Sequence, residues 1–235
     1  MKKKIDIIMA VIMLVSVFYV SFFHGSDTRN VQIVSVADSK IIVVDAGHGG
    51  VDPGKIGANG AKEKDINLQI AEKVKKKLGE QQVQVVMTRE EDKDLAPEGS
   101  SNRKRDDMKM RCLLIQNAQP DCVVSIHQNS FSDASAKGAQ VFYFEGSEEG
   151  KRLGETLQSF LVEYLDKENH RLAKGNTSYY LLKKTEVPLA IAECGFLSNG
   201  EEAALLVTEE YQEKVAEAIC EGILAYLAEK EAEIL

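Results

Sequence analysis

Positive charge is what this sequence most lacks. In 235 residues, 29 Lys and Arg face 37 Asp and Glu, for a formal net charge of −8 and a pI near 5.2. Proteins that grip a phosphate backbone carry a basic stripe, so nucleic-acid binders are excluded as a class. Cysteine is scarce as well. None of Cys112, Cys122, Cys194 and Cys220 forms a C-x-x-C pair, and their spacing matches no zinc knuckle or ribbon. Each sits in an apolar stretch, where a free thiol behaves as a small hydrophobe, so core packing is expected of all four. With 17 Gly and 4 Pro the chain is not collagen-like, and it has no internal repeat or low-complexity tract. Its 44% hydrophobic and 28% charged residues describe a chain that folds.

Only one long hydrophobic run is present. Lys2, Lys3 and Lys4 precede an uncharged segment from Ile7 to Phe23, which as a helix would measure roughly 26 Å, close to the thickness of a bilayer core. Basic residues stay on the cytoplasmic side, so the remainder is expected outside. Residues following the run offer no pair of small side chains suited to cleavage. Residues 1–25 therefore read as an N-terminal membrane anchor or uncleaved signal, 26–39 as a polar linker, and 40–231 as one exported domain. Removing the lysine-rich leader leaves the rest more acidic still.

Within that body, strand and helix signals alternate. Apolar β-branched runs at 41–45, 83–88, 122–126, 139–144 and 189–192 suit strands buried on both faces, and a shorter run at 179–182 reads the same way. Helical spacing of Ile66, Ile70, Val74 and Leu78, and of Val215, Ile219, Ile223 and Leu227, predicts helices over 64–79 and 208–229. Two more are expected over 107–118 and 148–167, with a charged, solvated loop over 90–107. Short buried strands alternating with helices imply an α/β domain with helices on both faces of one sheet.

In such sheets, working groups gather at the carboxyl ends of strands. His48 lies three residues past the first strand, His127 closes the 122–126 run and Glu193 closes the 189–192 run. Glu63 stands before a helix, where the positive end of the macrodipole favours a carboxylate. Two imidazoles and a carboxylate are a common ligand set for catalytic zinc, and a leftover Glu193 would be free to take a proton from water. Taken singly, His48 also reads as a turn residue and Glu63 as an ordinary helix start. His127 and Glu193 are harder to explain structurally, because apolar neighbours make unpartnered polar groups costly. His24 and His170 read as surface residues. The segment 49–55 matches G-x-x-x-x-G-K, but Ile56 replaces the required hydroxyl, so a phosphate loop is rejected. A non-haem iron enzyme uses the same ligand set, though Glu193 would then have no task.

Four segments, Val43-Val44-Asp45-Ala46-Gly47-His48-Gly49-Gly50, the lone Glu63, Ser125-Ile126-His127-Gln128-Asn129-Ser130 and Ala192-Glu193-Cys194-Gly195-Phe196-Leu197-Ser198-Asn199, together resemble the zinc-dependent N-acetylmuramoyl-L-alanine amidases of the amidase type 3 family. The resemblance spans about residues 40–230. It implies a three-layer αβα fold with one mostly parallel, mixed central sheet, one Zn2+ held by His48, Glu63 and His127, and Glu193 as the catalytic glutamate. The implied reaction is hydrolysis of the amide joining N-acetylmuramic acid to L-alanine of the peptidoglycan stem peptide. The chain departs from the family pattern at Gln128, often Ala, and at Cys194, commonly another residue. A single anchored domain with the 88–95 and 103–111 segments resembles the sporulation-specific members, which act with a deacetylase to prepare muramic δ-lactam in the spore cortex before germination. A catalytically silent wall-binding domain is the competing reading. An anchored hydrolase without a targeting module also leaves room for an accessory protein that supports activity or metal retention.

Overall fold

The computed structural model describes residues 40–233, so the expected anchor over 1–25 and linker over 26–39 lie outside the described residues. Along the chain come β1 (Ile41–Ala46), α1 (Glu63–Glu80), β2 (Gln84–Met87), α2 (Arg103–Ala118), β3 (Cys122–Asn129), β4 (Gln140–Phe144), α3 (Glu148–Leu165), β5 (Lys174–Asn176), α4 (Tyr180–Lys184), β6 (Leu189–Phe196), α5 (Gly200–Leu206) and α6 (Glu209–Ala232). The strands form one sheet in the order β2-β1-β3-β6-β4-β5. Its first four are mutually parallel, β4 runs antiparallel to β6, and β5 is parallel to β4. This is the mixed sheet expected from the sequence.

Alternation along the strands builds two cores of unequal size. Ile42, Val44 and Ala46 of β1, Cys122, Val124 and Ile126 of β3, and Ala190, Ala192 and Cys194 of β6 join one cluster with α1, α3 and α6. Those helices contribute apolar stripes such as Ile66, Ile70 and Val74, or Leu153, Leu157 and Leu161, at helical spacing. On the opposite face, Val43, Val123, Leu189 and Ile191 pack with Ile115 of α2 and Leu181 and Leu182 of α4. Burial on both faces explains why the central strands are continuous apolar runs. Cys122, Cys194 and Cys220 are buried and Cys112 is half-buried, all four as free thiols.

Three expectations need correction. Tyr179–Leu182 is not a strand; its residues enter the short helix α4, and the edge strand is Lys174–Asn176. A strand would send Leu181 and Leu182 to opposite faces, whereas one helical turn buries both against the same cluster. The 90–107 loop ends early, because α2 begins at Arg103, where the Asn102 side chain accepts a hydrogen bond from the Arg105 N–H. Glu63, expected just before its helix, is the first residue of α1.

Candidate metal centre and catalytic cleft

Strand register brings distant residues together. His127 on β3 pairs with Glu193 on β6, and Asp45 on β1 with Ser125 on β3. These polar groups continue the face lined by Val43, Val123 and Ile191, so that face turns from apolar to ionisable at the carboxyl edge of the sheet. A cleft opens there, lined by Asp45, His48, Ser125, His127 and Glu193, with Lys104 and Tyr180 also contributing.

Glu63 reaches the cleft from α1 because the chain preceding that helix folds back on it. Its N–H donates to the Lys55 carbonyl at 2.9 Å, and the Lys55 N–H donates to Glu63 Oε2 at 2.8 Å. That fixes one carboxylate oxygen and leaves Oε1 turned inward, 2.9 Å from His127 Nδ1 and 3.2 Å from His48 Nε2. The three ligand atoms lie within 4.8 Å of one another. The backbone is shaped to the cluster: a Cβ on Gly47 would sit 2.3 Å from the His127 ring, and one on Gly54 (φ +67°) 2.5 Å from Glu63 Oε2. Among the described residues this is the one group of three or more His, Cys, Asp or Glu side chains so arranged. Two nitrogens and one carboxylate oxygen fit a divalent transition ion with a position left open.

Glu193 stands beside the trio in a different environment. It is 8% exposed, and its Oε2 is buried without a hydrogen-bond partner. Burial pushes its carboxyl up to about 7; the His127 and His48 rings oppose the rise and the Glu63 carboxylate adds to it. Glu63 is the contrary case. Burial would raise it, but hydrogen bonding to His127 and His48 holds it far below the usual carboxylate range, and the same contact raises His127 against the effect of its burial. Two nearby carboxyls thus differ in protonation: Glu63 stays ionised, while Glu193 titrates near neutral pH. All four residues singled out from the sequence meet at this site. His170 is exposed elsewhere, and His24 lies outside the described residues.

What sequence reading missed is the support beneath. Arg111, 1% exposed, donates to Asp45 Oδ1 at 2.5 Å, Asp107 Oδ2 at 2.9 Å and the His48 carbonyl at 2.6 Å. Asp45 also accepts from Ser125 and Thr88; burial works against its ionisation, but Arg111 and these hydroxyls lower its pKa to about 2. Arg89, 2% exposed, donates to the carbonyls of Ala46, Gly47 and Lys64. Two buried guanidinium groups therefore tie the His48 loop to the sheet and to α1, and His48 itself adopts the left-handed φ of +61°. Gln128 donates through its N–H to Glu63 Oε1 and through Nε2 to Asn67, which donates to the Gly47 carbonyl. The buried Cys194 thiol lies against Gln128, so the two departures from the family pattern touch each other.

Residues 42–225 match the family described as N-acetylmuramoyl-L-alanine amidase. The chain belongs to this family. It is 42% identical over 194 residues to the germination-specific N-acetylmuramoyl-L-alanine amidase of Bacillus subtilis, covering 81% of each chain. The solved CwlD amidase of Clostridioides difficile, in complex with the GerS lipoprotein, superposes with a TM-score of 0.79 at 39% identity, covering 81% of this chain and 99% of that one. A second Clostridium difficile N-acetylmuramoyl-L-alanine amidase gives 0.71 at 33% identity over 81% of this chain and 97% of its own. Fold and enzyme class agree with the expectation: this is a peptidoglycan amidase.

Proposed function

We propose that the chain is a zinc amidase that hydrolyses the bond between the lactyl group of N-acetylmuramic acid and L-alanine, with His48, Glu63 and His127 holding the metal and Glu193 moving the proton. The observation that carries this reading is the convergence of three ligand atoms within 4.8 Å beside a buried, unpartnered carboxyl oxygen. Zinc in such a site supplies Lewis acidity, polarising a carbonyl and lowering the pKa of water toward ~7. The protein does the rest. Glu193, with its carboxyl near 7, takes a proton from the attacking water and delivers it to the departing L-alanine nitrogen, which leaves as a free amine. No covalent enzyme intermediate is needed. The register that pairs Glu193 on β6 with His127 on β3 supports this placement of the base beside the metal.

The germination-specific relative and the CwlD structure support a role in the spore cortex. Removing stem peptides there prepares muramic δ-lactam, with a deacetylase acting in the same sequence. Residues 1–25 would tether the enzyme to the membrane with its catalytic domain extracytoplasmic, in the forespore envelope space. Among the described residues no helix is long and apolar enough to cross a membrane, so the tether rests on that segment. The CwlD amidase was solved with a lipoprotein, which supports an accessory protein for this chain too, aiding activity or metal retention. Mass spectrometry of muropeptides after digestion tests the reaction. New L-alanine amino termini, abolished by chelator and restored by zinc, are expected; an unchanged muropeptide profile with zinc and the accessory protein present contradicts it.

A further inference from the structure

Asp52 has no part in the reaction just described, yet it is tied into the cleft from several directions. Its backbone exchanges two hydrogen bonds with Gly49, N–H to carbonyl at 3.0 and 3.1 Å, closing a four-residue turn directly after His48. Its Oδ1 accepts from the Gly54 N–H at 3.3 Å, and its Oδ2 lies 2.9 Å from His48 Nδ1 and 3.1 Å from Lys104 Nζ at the start of α2. The carboxylate is therefore held by the turn, by Gly54 and by a cation from another element, and it faces the ring nitrogen of His48 that points away from Glu63.

An ionised carboxylate only accepts hydrogen bonds, so Asp52 orients the ring with Nδ1–H toward itself and Nε2 toward the cluster. Nε2 faces Glu63 Oε1 across 3.2 Å. A metal ion held there would displace any proton shared between the two. Resting on the zinc reading above, we propose that Asp52 is a positioning residue that holds the His48 ring with Nε2 turned toward the metal and thereby sets how tightly the three-ligand centre holds it. Partners of this kind raise the basicity of a ligating imidazole, and their loss typically costs about 10- to 100-fold in metal affinity.

The test measures zinc dissociation constants of the full-length chain by competition with a chromophoric chelator. Asp52→Ala should bind zinc about 10- to 100-fold more weakly than the parent. Asp52→Asn keeps an accepting oxygen without the charge and should fall between the two; as the near-isosteric change it carries the test if the alanine variant does not fold. Lys104→Ala should shift affinity by no more than about fivefold, as for other exposed ion pairs. A purely structural role for Asp52 would leave the His48 Nδ1–H itself alone. Nitrogen-15 NMR of labelled histidine in the zinc-loaded chain should show that N–H sharp and slow to exchange in the parent and exchange-broadened in Asp52→Ala. Parental affinity and an unchanged His48 Nδ1–H signal in both Asp52 variants overturn the proposal while leaving the amidase reading intact. A parent chain that binds no zinc instead overturns the metal centre on which the proposal rests.

Discussion

Replacing Glu193 by Gln should stabilise the metal-free enzyme at alkaline pH and lose that advantage in acid. The side chain is 8% exposed with one oxygen lacking a hydrogen-bond partner, and burial raises its carboxyl from the usual 4.5 to about 7. A carboxyl that holds its proton more tightly when folded contributes its full stability below the unfolded value of 4.5. That contribution is lost as pH rises through 7. At 1.36 kcal/mol per tenfold in proton affinity, the loss amounts to about 3 kcal/mol by pH 8. Glutamine has nearly the same shape and no charge at any pH, so it avoids this pH-dependent loss. Urea denaturation of parent and variant in excess chelator, at intervals from pH 4.5 to 8.5, reads the effect of Glu193 together with its coupling to His127, His48 and Glu63, because all other titrating groups are common to both chains. The stability difference should grow toward about 3 kcal/mol in favour of Gln as pH rises, and added zinc should shrink it by stabilising the carboxylate. A difference that is flat with pH, or that favours the parent more as pH rises, refutes the buried-base assignment. The same variant should retain zinc but lose about 10²- to 10⁴-fold in turnover, the usual contribution of a positioned acid–base group.

Two further perturbations probe the framework of the site. Gly47→Ala would drive a Cβ to within 2.3 Å of the His127 ring, so zinc affinity measured by chelator competition should fall by about tenfold or more, as for other changes that misplace a ligating histidine, while far-UV circular dichroism stays unchanged. Arg111→Ala would leave the buried Asp45 carboxylate with the Ser125 and Thr88 hydroxyls but without its opposite charge; such losses cost about 3 to 5 kcal/mol, read as a lower urea midpoint. Here Asp45→Asn made alongside Arg111→Ala should recover part of the loss.

Much of this architecture could be read without coordinates because its central strands are buried on both sides. The runs 41–45, 122–126 and 189–192 show as apolar for that reason, and the polar residues that follow them, His127 inside β3 and Glu193 inside β6, stand out against that background. His127 and Glu193 were conspicuous because apolar neighbours leave few structural uses for them. Tyr179–Leu182 misled because a run of four apolar or aromatic residues has no resolvable period; the choice of helix was made by a cluster that could bury Leu181 and Leu182 together. Arg111 and Asp45 are 66 residues apart, and an arginine in a charge-rich segment gives no sign that it will be buried. Asp52 was equally silent, since its meaning lies in the turn that brings its carboxylate back to His48. Local signals revealed which residues were out of place, and only the fold showed what held them.

Zinc K-edge X-ray absorption of the full-length, zinc-loaded chain tests the central claim most directly. Two imidazole nitrogens, one carboxylate oxygen and one solvent oxygen, all near ~2.0 to 2.2 Å, are predicted, with the imidazole signature halved in His127→Ala. A sulfur shell near ~2.3 Å, or an imidazole signature unchanged when His127 is removed, would contradict the account.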